Sequence, residues 1–217
     1  MSQHRFAILS ILILLTGSSC RRQHPSGATP VSDIRSISLQ PIGVFPGSSI
    51  DFLQTQLSQF LHKQVFILPP MGMPVSFRND AKGERYSADS LVQTLSQNAP
   101  DTRSIVMGLT TQDIYTTVRD SAGAIKKPWD KYAVWGIFGL GSCPGRASII
   151  STCRLQTADN QLFLHRLRTV AIHELGHNLG LPHCPNPHCI MNDANEKIST
   201  VDHSGDDFCP SCRKKSN

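Results

Sequence analysis

The residues best suited to chemistry lie in one short segment, residues 173–184, which reads HELGHNLGLPHC. His173 and His177 are four residues apart, so on a helix both imidazoles lie on one face and can bind a single zinc ion. Glu174 then lies beside that ion, and His183 can reach it as a third ligand from beyond the helix. Three protein ligands leave the fourth position of a tetrahedral zinc open for water, which is typical of a catalytic site.

A helix must carry the first two histidines, and a turn must return the third. Residues 161–172 contain no proline or glycine, and their apolar side chains recur mostly every three or four residues, which predicts a helix. Gly180 can adopt a positive φ, so we expect the helix to end there and the chain to turn back.

Four cysteines follow in two groups, Cys184 with Cys189 and Cys209 with Cys212. Their pattern, C-x4-C-x-M-x17-C-x2-C, is typical of a closed four-thiolate zinc site that holds a short tail in place. In an oxidising compartment each group could instead form a disulfide; we favour metal, since bound zinc protects thiolates. His188 is a competing ligand, but four thiolates already complete a tetrahedron.

The combined pattern resembles the archaemetzincin family of zinc metallopeptidases, and every fixed motif position is present. The resemblance implies that His173, His177 and His183 bind a catalytic zinc and that Glu174 is the general base. It further implies that Met191 forms a Met-turn beneath that zinc. The same four cysteines would then bind a second, structural zinc, giving two zinc ions per chain.

Alternating helices and apolar strands predict an α/β fold with a twisted, mostly parallel sheet. The predicted strands are 36–45, 64–68, 103–109, 131–138 and 147–155, of which 64–68 is expected to be buried. Two helices are predicted before residue 161: residues 48–63, capped by Ser48 or Ser49, and residues 87–98, capped by Ser87. We interpret the glycine-rich residues 139–145 as a turn between strands.

The resemblance adds an architecture to these elements. It implies a single metzincin-like domain over residues 37–217, with an active-site helix and a small zinc-bound C-terminal part, residues 181–217. The strand at 147–155 would form the sheet edge above the cleft, where a peptide substrate adds by main-chain hydrogen bonds. An ordinary strand without a substrate role is the alternative.

The N-terminal residues 1–19 have the layout of a secretory signal peptide, with an apolar run too short to span a bilayer. Small residues before Cys20 resemble a bacterial lipoprotein signal, although Gly17 stands where such signals usually carry Leu. We expect a lipidated Cys20 and a tether over residues 20–36, with simple secretion as the alternative. The protein would then be exported and membrane-anchored, facing the periplasm or the cell exterior.

The composition is ordinary for a globular protein, at 39% hydrophobic and 17% charged residues. The net charge of +5 does not indicate a particular class of binding partner. A nucleic-acid-binding zinc ribbon is disfavoured, because the only basic cluster, residues 213–215, is short. We therefore expect a monomeric zinc peptidase acting on peptides or proteins. A catalytically weak or inactive peptide-binding protein is the alternative, which the intact Glu174 disfavours. Cys143 and Cys153 form a disulfide or stay thiols.

Overall fold

The fold is described from a computed structural model over residues 33–195 and 197–216. The predicted signal peptide, Cys20 and most of the tether lie outside these described residues. The strands are β1 (Ser36–Pro41), β2 (Gln64–Ile67), β3 (Arg78–Asn79), β4 (Arg85–Ser87), β5 (Ser104–Thr110), β6 (Ile114–Thr116), β7 (Trp135–Ile137), β8 (Gly139–Gly141) and β9 (Ala147–Ser151). The helices are α1 (Gly47–Leu61), α2 (Ala88–Gln97), α3 (Trp129–Tyr132), α4 (Asn160–Asn178), α5 (Ile198–Asp202) and α6 (Pro210–Ser216).

The larger sheet has five strands in the order β2-β1-β5-β9-β8. The first four run parallel to one another, and β8 pairs antiparallel with β9. A smaller sheet has the order β3-β4-β6-β7. The predicted α/β class and mostly parallel sheet are confirmed. No helix in the described part of the chain is long and apolar enough to cross a membrane.

Helices cover both faces of the larger sheet. Ile150 of β9 packs in one apolar cluster with α1 and α4, whereas its neighbour Ile149 packs in a second cluster with α2, because side chains alternate along a strand. All residues of β5 and β9 are buried as a result. The sheet thus gives α4, which carries His173 and His177, a rigid support.

The sheet edge differs from the prediction. The strand expected at the edge, β9, lies between β5 and β8, so that assignment is wrong. Residues 139–141, interpreted as part of a turn, form β8, which pairs with Ser148, Ile149 and Ile150 and occupies the edge beside α4. The sequence does not predict this strand, because two of its three residues are glycines and glycine has a low strand propensity.

Two further predictions about sheet strands are corrected. Strand β2 is the opposite edge of the sheet rather than a buried strand, and Phe66 and Ile67 are 50% and 43% exposed. The apolar run at 131–138 is divided between the end of α3 and β7, with a short connection between them.

The helix caps agree with the prediction in one of two places. Ser87 caps α2 by accepting a hydrogen bond from the Ser90 N–H. Helix α1 begins one residue earlier than expected, with Pro46 at the N-cap position, so neither Ser48 nor Ser49 caps it.

Candidate active site

Helix α4 has a defined start and end. The Asp159 side chain caps its first turn by accepting hydrogen bonds from the N–H groups of Gln161 and Leu162. At the other end Gly180 has φ +88°, as predicted. The Leu181 N–H donates to the Gly176 carbonyl, and the Gly180 N–H donates to that of His177, which is a Schellman ending. The predicted helix and turn are confirmed.

The three histidines of the motif converge on one point. The Nδ1 atoms of His173 and His177 lie 2.8 Å from the carbonyl oxygens of Ile190 and Leu181. Carbonyl oxygens only accept, so both Nδ1 atoms carry the proton and both Nε2 atoms keep a lone pair. The potential ligand atoms of His173, His177 and His183 all lie within 4.8 Å of one another.

This donor set fits zinc in spacing and in protonation. The Nε2 atoms of His177 and His183 are 3.3 Å apart. Two imidazole nitrogens on a tetrahedral zinc would be about 3.3 to 3.4 Å apart, given Zn–N bonds of about 2.0 to 2.1 Å. Burial and the neighbouring His177 lower the pKa of His173 to about 3, so its ring is neutral at pH 7. Neutral imidazole is the form that binds metals.

Glu174 lies buried beneath the glycine strand β8. A Cβ added to Gly139 would lie 2.7 Å from its Cγ and Oε1 atoms, so this close approach depends on glycine. Burial raises the pKa of Glu174 to about 8, and a hydrogen bond from the Gly141 N–H opposes that rise. A cation held by the adjacent histidines would favour the ionised carboxylate, the form that can accept a proton.

The four motif cysteines also converge. Their sulfur atoms lie within 4.8 Å of one another, with Cys189 and Cys212 buried. The Sγ atoms of Cys184 and Cys209 are 3.8 Å apart, which matches the edge of about 3.8 Å expected for Zn–S bonds of about 2.3 Å. The Cys209 N–H donates to Cys189 Sγ. All four residues are thiols, so the disulfide alternative is not formed in this structure.

One loop links the two clusters. The Cys184 N–H donates to the Met191 carbonyl, and the Asn192 side chain donates to the Cys184 carbonyl, so the residue after His183 is held from both sides. Met191 is fully buried and packs so closely against Gly176 that no side chain fits at that helix position. It therefore lies against the helix between the first two histidines, the place expected of a Met-turn.

Three residues of the site were not predicted from the sequence. Gly139 and Gly141 shape the pocket of Glu174, but their spacing gave no sign of it. The carboxylate of Asp193 lies 3.4 Å from His183 Nδ1, where it orients the imidazole so that Nε2 faces the other histidines. Asp193 lies two residues after Met191, in the 17-residue interval before Cys209, and no spacing rule singles it out.

Cys143, Cys153 and His188 lie outside both clusters. Cys143 and Cys153 are thiols rather than a disulfide, and the Cys143 Sγ lies 3.5 Å from the Leu181 carbonyl. His188 is exposed and is not among the grouped side chains.

A cavity of about 460 Å³ opens onto the histidine cluster. One wall comes from β6, β7 and the segment between them, including Thr116, Val118, Tyr132 and Trp135. Another part of the lining comes from α4 and the loop that follows Met191, including Thr169, Asn192 and Asp193. The site therefore combines a metal-binding donor set, a buried carboxylate and room for a substrate.

Comparisons with known proteins agree with this site. Residues 57–217 match peptidase family M54. The archaemetzincin of Pyrococcus abyssi is 32% identical over 190 residues, which cover 82% of this chain and 93% of that protein. The crystal structure of the archaemetzincin from Archaeoglobus fulgidus, complexed with malonate, has a TM-score of 0.67 at 28% identity, covering 83% of this chain and 99% of that one. The archaemetzincin structure from Methanopyrus kandleri has a TM-score of 0.68 at 27% identity, covering 86% and 96%. The chain belongs to peptidase family M54 and is a zinc metallopeptidase of the archaemetzincin type.

Proposed function

We propose that the chain is an exported peptidase that uses two zinc ions, one catalytic and one structural, with Glu174 as its general base. The observation that carries the catalytic part is the juxtaposition of three converging imidazoles with one buried carboxylate at the floor of a single cavity. His173, His177 and His183 would hold the catalytic ion, and Cys184, Cys189, Cys209 and Cys212 would hold the structural one.

Zinc held by His173, His177 and His183 would supply Lewis acidity, lowering the pKa of a coordinated water to about 7 and polarising a peptide carbonyl. The chain's own residues do the rest. Glu174 accepts a proton from the attacking water and returns it to the leaving amine. Its carboxylate is held for that task by the Gly141 N–H and by packing against Gly139. Strand β8 offers a sheet edge to an extended peptide.

The cysteine cluster would act through the loop rather than on the substrate. His183 and Cys184 are adjacent, so one short loop must satisfy both metal sites. Loss of the structural zinc would then misplace the third imidazole. Replacement of Cys209 or Cys212 by Ser should lower both the zinc count and the activity; full activity with one zinc per chain would reject this coupling.

The catalytic proposal is tested on a mixed peptide library. The zinc-loaded wild-type protein should cleave peptides, whereas Glu174→Gln should bind zinc equally and cleave at least 100-fold more slowly, because removal of a general base costs about 10² to 10⁴. Equal cleavage by both proteins would exclude Glu174 as the base. Zinc binding with no cleavage by either protein would favour the alternative, a peptide-binding protein.

Export and lipid attachment are proposed from the N-terminal sequence, whose residues 1–32 lie outside the described part of the chain. The mature protein would begin at a lipidated Cys20, be anchored in a bacterial membrane and act as a monomer at the periplasmic or outer surface. Expression in a bacterium with labelled palmitate should label the wild type and not Cys20→Ala. A label-free, unprocessed protein in the cytoplasm would refute export, and a larger mass by light scattering would refute the monomer.

A further inference from the structure

The catalytic cavity has one feature that the zinc chemistry does not use. Among its described lining residues Lys126 is the only lysine or arginine. It lies on the wall that β6, β7 and the segment between them form, in the part of that segment that joins β6 to α3. Its neighbours on that wall, among them Thr116, Val118 and Trp135, are neutral. A second lysine, Lys131, lies close to the same wall, with its Nζ 4.8 Å from the centroid of the Trp135 ring and 5.4 Å from that of Tyr132, but it is not among the described residues that line the cavity.

Lys126 is held in place by an aromatic shelf, which we define as Tyr132 and Trp135. The two rings stack with centroids 4.8 Å apart and an angle of 16° between their planes. The Lys126 Nζ lies 4.8 Å from the centroid of the Tyr132 ring. Stacking on a ring face stabilises an ammonium and restricts its rotamers. The charge is thus presented in a defined direction.

The backbone fixes the same arrangement. The Lys126 N–H donates to the Val118 carbonyl, and the Val118 N–H donates to the Tyr132 carbonyl, so Val118 ties the lysine to the shelf. The Thr117 hydroxyl adds a further bond to the Ala133 carbonyl. Such preorganisation reduces the entropy lost when a ligand binds.

Nothing in the described residues neutralises Lys126. Its ammonium meets the Tyr132 ring but makes no hydrogen bond or ion pair with the described part of the chain. Two carboxylates line the cavity among the described residues, and both are engaged elsewhere: Glu174 is buried under β8, and Asp193 is beside His183. Lys126 is exposed at the cavity wall and has no carboxylate partner among the described residues, so a carboxylate of the ligand can take that place.

We infer that Lys126 and the aromatic shelf form a substrate subsite for a peptide carboxylate. The substrate class is a peptide that places a carboxylate near the scissile bond, either an Asp or Glu side chain or the carboxyl terminus itself. The aliphatic part of such a residue packs on Tyr132 and Trp135, and its carboxylate pairs with the Lys126 ammonium. This inference rests on the proposed peptidase function and names its preferred substrate.

The test is a charge exchange between enzyme and substrate. Fluorogenic peptides carry Glu, Gln or Lys at each position around the cleavage site, each with a free or an amidated carboxyl terminus. For the zinc-loaded wild type, kcat/KM at one position should fall about tenfold from Glu to Gln and further to Lys, which is the size of a charge-assisted hydrogen bond. Lys126→Glu should reverse that order. If the carboxyl terminus is the recognised group, amidation rather than the side chain should produce the tenfold fall.

Lys127→Glu is the matched control, because Lys127 is the next residue and is exposed, with its Nζ 5.7 Å from the Trp129 ring, and does not line the cavity. It changes the net charge equally and should keep the wild-type preference for Glu. An identical preference in wild type and Lys126→Glu, or an equal change in both variants, would overturn the subsite.

A binding assay separates this outcome from failure of the proposed peptidase function. Glu174→Gln, loaded with zinc, is titrated with the same peptides, and the affinity is measured by fluorescence anisotropy. The Glu peptide should bind about tenfold more tightly than the Lys peptide, and Lys126→Glu in this background should reverse the ratio. If no peptide is cleaved by the wild type but this reversal occurs, the peptidase proposal fails and the subsite stands. Equal affinities for both peptides reject the subsite.

Discussion

Gly139→Ala tests whether Glu174 depends on the glycine strand above it. A Cβ at residue 139 would lie 2.7 Å from the Cγ and Oε1 atoms of Glu174, whereas carbon atoms pack at about 3.5 Å or more. The carboxylate must therefore retreat by about 1 Å. It has little freedom to do so, because the side chain is buried and hydrogen-bonded to the Gly141 N–H. A misplacement of that size costs about 10² in rate, or about 2.7 kcal/mol in the barrier.

The assay is kcat/KM on a cleaved peptide, with zinc content and thermal stability measured on the same samples. Gly139→Ala should lose about 100-fold in kcat/KM with no change in zinc content, and overpacking should cost about 1 to 3 kcal/mol of stability. Gly72→Ala is the control, because nothing lies within 4 Å of the added Cβ. Wild-type kcat/KM in Gly139→Ala would show that the position of Glu174 is not set by this strand.

Three further outcomes follow from the contacts. Asp193→Asn removes the carboxylate beside His183, so it should weaken zinc binding at the histidine site about 10- to 100-fold. A competition assay with a chelator measures that affinity, and an unchanged value would contradict the role of Asp193. Asp202→Asn should destabilise the protein by about 1 to 3 kcal/mol at pH 7, because the buried Arg166 guanidinium would lose its partly exposed carboxylate partner. The hydrogen bond from Arg166 lowers the pKa of Asp202 below its unfolded value of 3.8. The stability that this bond contributes is therefore present above pH 3.8 and is lost as the pH falls through the folded pKa. The difference in unfolding free energy between wild type and Asp202→Asn, measured in urea, should shrink below about pH 4, and a constant difference would refute this role of Asp202. Removal of zinc with a chelator should abolish activity and lower the melting temperature, and zinc alone should restore both.

The histidine and cysteine clusters were predictable because they depend on local spacing. Two residues that are four apart on a helix lie on the same face, and this places His173 beside His177. Gly180 supplies the positive φ that ends the helix, and this depends on the residue itself rather than on its surroundings. The cysteine spacing likewise identified a group whose sulfur atoms meet in the structure. Residue spacing and local backbone conformation are therefore enough to predict which of these side chains meet.

The shape of the cleft was less predictable because it depends on tertiary contacts. Strand β8 consists of glycine, leucine and glycine, and becomes a strand only by pairing with β9 and packing over Glu174. Asp193 acquires its role only when the loop returns to His183. The position of Lys126 against Tyr132 follows from the backbone hydrogen bonds of Val118 with Lys126 and Tyr132, which no periodicity in the sequence indicates. An apolar run such as β2 cannot by itself reveal whether it is central or at an edge.

The measurement that tests the central claim most directly is a count of zinc per chain in the purified protein, beside His183→Ala. We expect two zinc ions in the wild type and one in His183→Ala, since the four cysteines would keep theirs while the weakened histidine site would lose its own during dialysis. A wild type without stoichiometric zinc, or an equal count in the two proteins, would contradict it.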